Sequence, residues 1–206
     1  MKKLLFLFAF SVMAIAASAQ KSTKLYNGKN LDNWGLVTKN SEDIASKEFK
    51  ANKGVIDISG KFGYMYTLEQ YSNYKLTLEW RWVGEGSNSG VFLNLQGEKK
   101  VWPACFEVQL SSGSAGGIIH SGGTTSDEFY KNNKKPFLKG YKEGLEKELG
   151  KWNKLEVVCT PNQIQTYVNG TKQCEINNLS QKKGNIALQG EGKAIQFRKV
   201  VVTPLK

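Results

Sequence analysis

The sequence predicts an all-β fold, an antiparallel two-sheet β-sandwich with a long polar insertion. Three observations lead to this prediction. Apolar and polar residues alternate strictly in the segment 74–82, as in a half-buried strand. The last third of the chain is a succession of short strand-like segments separated by turn residues. Helical periodicity is rare, which favours a sandwich over a mixed fold.

The predicted elements before residue 74 are short. The segment 25–34 contains the turn dipeptide Asn27-Gly28, for which we expect a hairpin-type turn, and Trp34 is expected to anchor the core. A polar stretch, 39–48, is expected to hold a helical turn. The further predicted strands are two around a turn at 52–54, then 64–68, 152–160, 163–168, 172–176, 184–189 and 194–204.

The central strands are the most informative. Because successive side chains of a strand point to opposite faces, one face of 74–82 is apolar and the other carries Glu79 and Arg81. The segment 106–110 repeats the pattern, with Glu107 and Gln109 on its polar face. If both polar faces belong to one sheet, they form a hydrogen-bonding surface, which we take as the functional face. Arg81 is then the expected counter-ion of either glutamate.

Two later segments differ in composition. Small residues dominate 111–123, a pattern that favours close approach to backbone or ligand. The stretch 127–150 is long and polar, and a loop of this length is usually functional or disordered, so a lid is one interpretation.

The first nineteen residues have the features of an export signal. Lys2 and Lys3 precede the apolar run 4–17, and Ala17-Ser18-Ala19 fits a cleavage site. Gln20 follows where a lipid-anchored protein would have Cys. We therefore expect residues 20–206 to form one exported domain, periplasmic or secreted, with no lipid anchor and no stable membrane insertion.

The chain is basic, with a formal net charge of +11. Only two of its 29 basic residues are arginines, and the lysines are scattered over almost every segment. Nucleic-acid-binding proteins usually concentrate basic residues on one element, so the composition argues against a nucleic-acid partner.

Three cysteines are present, and an odd number cannot all pair within one chain. Tight turns in the last third would set Val158, Gln165 and Cys174 side by side, with Cys159 on the opposite face. We therefore expect Cys105, Cys159 and Cys174 to be buried free thiols.

Candidate catalytic groups are few. His120 is the only histidine, which excludes a zinc site with several histidines. A lone histidine is more often structural than catalytic, although it can act as a general acid or base. Glu79 and Glu107 are either members of ion pairs or functional carboxylates. No second acid lies near Glu107 on its own strand, which disfavours the paired-acid mechanism of ordinary glycosidases. No cofactor is predicted, and a divalent metal stays open.

Taken together, a series of blocks resembles the 3-keto-disaccharide hydrolase domain family, whose fold is a concanavalin A-like sandwich, or jelly roll. The similarity covers most of the chain after residue 20. The blocks are 25–34, 71–81, 88–92, 106–110, 150–153, 168–170, 184–192 and 195–198.

The resemblance implies cleavage of glycosides already oxidised to a ketone at sugar carbon 3. The ketone acidifies the hydrogen on carbon 2, so a base can start an elimination that expels the group on carbon 1, and water then adds. The resemblance makes Glu107 the expected acid/base, with His120 a second candidate base. The expected carbohydrate-binding residues are Arg81, Gln109, Glu79, Asn88, Lys151, Glu191 and Trp152, the last of which has a core position as its alternative.

Two positions differ from the usual family pattern. Leu93-Asn94 stands where Phe-Arg is common, and Ser111 stands where Asp often follows the Glu-x-Gln motif. The alternatives are therefore a non-catalytic carbohydrate-binding module and a structural or protein-binding sandwich. The oligomeric state is left open.

Overall fold

A computed structural model describes residues 21–39 and 42–206 of the chain. The predicted export signal lies outside these described residues. Within these residues the chain forms two helices, α1 (Glu42–Glu48) and α2 (Asp127–Lys131). The strands are β1 (Thr23–Lys24), β2 (Trp34–Thr38), β3 (Phe49–Asn52), β4 (Val55–Ile58), β5 (Gly63–Thr67), β6 (Tyr74–Trp82), β7 (Gly90–Gln96), β8 (Ala104–Gln109), β9 (Ile118–Ser121), β10 (Phe137–Leu138), β11 (Asn153–Cys159), β12 (Gln163–Val168), β13 (Thr171–Asn177), β14 (Asn185–Gly190) and β15 (Ile195–Pro204).

The strands form two antiparallel sheets that pack face to face. Sheet A has the order β13-β12-β11-β6-β15-β4-β3, with β1 added to β15, and sheet B has the order β10-β9-β8-β7-β14-β5-β2. The predicted all-β sandwich is thus confirmed. No helix within residues 21–39 and 42–206 is long and apolar enough to span a membrane.

The core lies between the sheets and follows the predicted alternation. The apolar row of β6 is buried against the row Phe106, Val108 and Leu110 of sheet B. Trp80 is fully buried at the centre. Since removing a buried aromatic ring leaves a cavity, a Trp80→Ala change would cost about 3–5 kcal/mol.

The predicted common polar face is wrong. β6 pairs with β11 and β15 in sheet A, whereas β8 pairs with β7 and β9 in sheet B. Glu79 and Arg81 therefore lie on the outer face of one sheet, and Glu107 and Gln109 on the outer face of the other. Alternation shows which side of a strand faces the core, but it does not show which sheet contains the strand.

The cysteines are free and buried, as expected, but one detail of their register differs. A bulge between Thr166 and Tyr167 places Cys174 opposite Thr166 instead of Gln165. Cys159 and Cys174 consequently both belong to the core cluster and do not point to opposite faces. Two strand spacings separate their positions, which is too far for a disulfide.

The structure also differs in detail from the predictions for the N-terminal turn and for the insertion. The side chain of Asn27 accepts hydrogen bonds from the backbone N–H groups of Lys29 and Asn30, which closes a turn but not a hairpin, since β1 and β2 pair with other strands. The insertion 127–150 contains α2 and β10, and β10 extends sheet B beside β9. Residues 145–149 form no helix.

Candidate functional site

A cleft of about 400 Å³ opens on the outer face of sheet B. Strands β8 and β9, the loop between β7 and β8, and the turn after β14 surround it. Its lining residues are Asn88, Trp102, Glu107, Ile119, His120, Ser121, Gly122, Pro136 and Glu191. Four residues predicted from the family resemblance, Asn88, Glu107, His120 and Glu191, therefore lie in one cleft.

Glu107 lies at the base of this cleft and is only 4% exposed. Its carboxyl group occupies the space beside Gly90, where an added Cβ atom would lie 2.4 Å from Glu107 Oε1. Burial, with a smaller contribution from the charge of Glu191, raises the pKa of Glu107 to about 8. At neutral pH Glu107 is therefore mostly protonated and can donate a proton.

Glu191 supplies a second carboxyl group to the same cleft. Its Oε2 atom accepts hydrogen bonds from Asn88 Nδ2 and Gln189 Nε2, each at 3.0 Å. Burial raises the pKa of Glu191, and the two amide donors oppose that rise. No second acid lies near Glu107 on its own strand. The structure supplies one from the turn after β14, where Glu191 forms a bridge with Asn88.

The two carboxyl groups differ from the ion-paired glutamates of sheet A. Glu79, Glu156 and Glu175 have pKa values lowered by hydrogen bonds and charge from lysine or arginine. In the described part of the chain, neither Glu107 nor Glu191 forms an ion pair with a basic side chain. Two unpaired acids in a cleft are typical of a functional site.

Trp102 forms an aromatic wall of the cleft, which the sequence analysis missed. The side chain is 55% exposed, and its ring centroid lies 4.5 Å from that of Phe62. The available signal was a tryptophan before a proline in the polar loop between β7 and β8. An exposed aromatic ring beside polar groups suits stacking against the apolar face of a sugar.

His120 lines the cleft, but its ring nitrogens are engaged elsewhere. Nδ1 lies 3.1 Å from the carbonyl oxygen of Pro136, and Nε2 lies 2.9 Å from Ser126 Oγ. The ring also packs edge-on against Phe106, and burial lowers its pKa. This geometry fits the structural alternative for His120, in which it fastens the insertion to β9.

The predicted site residues of sheet A lie on the other side of the molecule. Glu79 pairs with Arg198 and Lys199, whereas Arg81 donates to Gln196 Oε1 at 2.6 Å. Arg81 is therefore the counter-ion of neither glutamate, because register sets Arg198 directly opposite Glu79.

Trp152 belongs to the same surface of sheet A. The guanidinium carbons of Arg81 and Arg198 lie 4.6 Å and 4.0 Å from its ring centroid. Trp152 is thus stacked with cations instead of lining the cleft, and Lys151 beside it is exposed. Gln109 does lie on the outer face of sheet B, two residues from Glu107.

Asn94, one of the two unusual positions, turns away from the cleft. It adopts a positive φ of 51° at an irregularity of β7, and its Nδ2 atom donates to the carbonyl oxygen of Gln181 at 2.9 Å. Ser111 follows β8 and does not line the cleft either. Across residues 21–39 and 42–206, no three His, Cys, Asp or Glu side chains are grouped as a metal site would require.

Comparison with known proteins agrees with the fold. The sequence profile of a family described as the 3-keto-alpha-glucoside-1,2-lyase-like domain matches residues 21–203. No curated protein sequence matches the chain.

Solved structures share the sandwich at low sequence identity. A candidate glycosyl hydrolase from Parabacteroides distasonis is 23% identical, with a TM-score of 0.66 over 90% of this chain and 100% of that one. The Bacillus licheniformis β-glucanase is 10% identical, with a TM-score of 0.60 over 92% and 100% of the two chains. A carbohydrate-binding module from Bacillus subtilis is 9% identical, with a TM-score of 0.59 over 84% and 96%.

Proposed function

Because the chain belongs to the 3-keto-alpha-glucoside-1,2-lyase-like domain family, we propose that it cleaves glycosides that carry a ketone at sugar carbon 3. The family and the shared architecture support a carbohydrate-active sandwich domain. The observation that carries the finer proposal is the pair of unneutralised carboxyl groups, Glu107 and Glu191, in one cleft. Such a pair can supply both an acid and a base.

The proposed reaction begins at carbon 2, whose hydrogen is acidified by the neighbouring ketone. Ionised Glu191 removes this proton, and the electron pair of the C–H bond forms a double bond between carbons 1 and 2. The bond between carbon 1 and the departing oxygen breaks, and protonated Glu107 donates its proton to that oxygen. Addition of water across the double bond then completes a net hydrolysis.

The remaining lining residues support binding of a carbohydrate. Trp102 offers an exposed aromatic face at the rim, while Asn88 and Gln189 hold Glu191 in place. We assign the stacking role to Trp102 instead of Trp152, because only Trp102 lines the cleft. The leader-like first nineteen residues support action outside the cytoplasm, by one domain that spans residues 20–206.

Replacing Glu107 by Gln tests the proposal. The amide keeps the shape of the side chain but cannot supply the proton at this position. We expect release of the aglycone from a 3-keto-glycoside to fall at least about 100-fold, with binding of the substrate retained. Glu98→Gln makes the same change at an exposed residue of the β7–β8 loop and should cleave at the wild-type rate. Wild-type turnover by Glu107→Gln would refute the assignment.

The same assay separates the alternative functions. The paired carboxyl groups also suit an ordinary glycoside hydrolase, which would cleave the matching glycoside that has no ketone. Because Asn94 stands where an arginine is common in the family, a carbohydrate-binding module is the second alternative. A wild-type protein that binds sugars but cleaves neither glycoside would support this module.

A further inference from the structure

Gln189 is a fully buried polar residue beside the cleft. The residue is 0% exposed, and its Nε2 atom donates to Glu191 Oε2 at 3.0 Å. Its Oε1 atom is buried and has no hydrogen-bond partner within the described residues. A buried acceptor without a hydrogen-bond partner is costly, so we expect a donor close to Gln189 Oε1.

The strand register places Gln189 next to Glu107. Leu188 lies opposite Val91 and Glu191 lies opposite Asn88, so Gln189 lies opposite Gly90. The carboxyl group of Glu107 fills the space that a side chain at position 90 would occupy. Side chains directly opposite on neighbouring antiparallel strands have Cβ atoms about 5 Å apart. The Gln189 amide is therefore within reach of both carboxyl groups.

We propose that Gln189 is a positioning residue that bridges the two carboxyl groups, donating from its amide nitrogen to ionised Glu191 and accepting the proton of Glu107 at its carbonyl oxygen. The inference deepens the proposed function, on which it rests for the roles of the two acids. An amide has donors at one end and acceptors at the other, so its bond to Glu191 turns its carbonyl oxygen away from Glu191. The bridge thereby assigns the proton to Glu107 and the charge to Glu191.

The other groups that face this site leave the assignment intact. Cys105 lies on the same face of β8, and burial raises the pKa of its thiol. Tyr64 lies opposite Gln189 on β5 and donates its hydroxyl to the carbonyl oxygen of Lys100. His120 on β9 is engaged with Pro136 and Ser126. Burial and the charge of Glu191 raise the pKa of Glu107 to about 8, so the carboxyl group has a proton to donate at neutral pH.

Asn88, just before β7, also has one amide end bonded to Glu191 and the other end without a partner among the described residues. Its Nδ2 atom donates to Glu191, and its Oδ1 atom is buried without a partner in the part of the chain that the structure describes. We assign the main role to Gln189 because it is fully buried opposite Gly90, where the carboxyl group of Glu107 lies, whereas Asn88 as a residue is partly exposed.

The test is a titration of Glu107 in the absence of substrate. Infrared spectra of protein labelled with ¹³C-glutamate would reveal a protonated carboxyl band, assigned to Glu107 by its loss in Glu107→Gln. In the wild-type protein we expect this band to titrate near pH 8. In Gln189→Met, which keeps the length but removes both ends of the bridge, the midpoint should fall by about one unit. Gln173→Met makes the same change at another fully buried glutamine, on β13, and should leave the midpoint unchanged.

Each outcome decides the inference separately from the proposed function. An unchanged or raised midpoint in Gln189→Met overturns the bridge, whether or not the protein cleaves a 3-keto-glycoside. A lowered midpoint supports the bridge even if cleavage is absent. Should Gln189→Met not fold, a wild-type crystal structure decides: a distance from Gln189 Oε1 to a Glu107 carboxyl oxygen of about 2.5–3.0 Å supports the bridge, and one beyond about 3.5 Å overturns it.

Discussion

The burial of Glu107 raises the pKa of its carboxyl group and also lowers the stability of the folded protein when that group is ionised. A buried carboxyl group is destabilised in its charged form, and here the nearby charge of Glu191 adds to the effect. The position is possible because Gly90 has no side chain to compete for the space. The same burial that keeps the proton on Glu107 at neutral pH also makes its ionisation unfavourable in the folded protein.

Stability should therefore decrease with pH because of Glu107. The pKa of Glu107 is about 8 when folded and close to 4.5 when unfolded, so between these values the folded state binds more protons. The free energy of unfolding then falls as pH rises through this window. Relative to the wild-type protein, Glu107→Gln should gain on the order of 3 kcal/mol between about pH 5 and 8. Urea unfolding at several pH values measures this difference, and a constant difference would contradict the prediction.

The C-terminal part of the insertion 127–150 is tied to the sandwich by hydrogen bonds. Glu146 accepts a hydrogen bond from the backbone N–H of Gly113, in the small-residue segment after β8. Asn169 Nδ2, in the β12–β13 turn, donates to the carbonyl oxygen of Leu145 at 2.8 Å. The backbone N–H of Lys147 donates to Asn153 Oδ1 at 2.8 Å. These contacts explain why small residues and asparagines recur where the insertion meets the strands.

Removing the Glu146 carboxylate should loosen this element without unfolding the sheets. In Glu146→Ala the backbone N–H of Gly113 loses its acceptor, which we expect to cost about 1–2 kcal/mol of stability. Trypsin should then cut faster after Lys139, Lys142 or Lys147. The matched variant Glu148→Ala changes an exposed glutamate of the same segment and should be cut at the wild-type rate. Equal protection of both variants would show that Glu146 does not tether the insertion.

At the scale of the whole molecule, the two outer faces of the sandwich have different chemistry. Sheet A presents paired charges, with Arg81 and Arg198 stacked on Trp152 and Glu79 neutralised by its neighbours. Sheet B presents the cleft with two unneutralised acids. Between them, the apolar rows form a core that needs no covalent cross-link among the described residues, since all three cysteines are free.

The melting temperature should accordingly be independent of reductant. All three thiols are buried, and burial raises their pKa values, which lowers their reactivity. We expect a thiol reagent to leave the native protein unlabelled and to label three cysteines in denaturant. A melting temperature that falls when dithiothreitol is added would instead indicate a disulfide.

Sequence alone determined the sandwich, because strand alternation is a local property that each segment carries by itself. The buried row of 74–82 follows from it, as do the boundaries of β3–β6, β8 and β11–β15 to within two residues, whereas β1, β2, β9 and β10 were not predicted. The family resemblance likewise predicted Glu107, Asn88 and Glu191 as site residues, although the sequence does not show that they lie in one cleft.

Only the tertiary structure decided which of these residues share a surface. Sheet membership depends on pairing between distant segments. Arg81 and Glu107 therefore lie on different sheets, although their strands have the same alternating pattern. Pairing of β7 with β14 brought Glu191 and Gln189 beside Glu107, and the absent side chain of Gly90 made room for the carboxyl group of Glu107. The candidate site is thus a product of strand order, which no single stretch of sequence encodes.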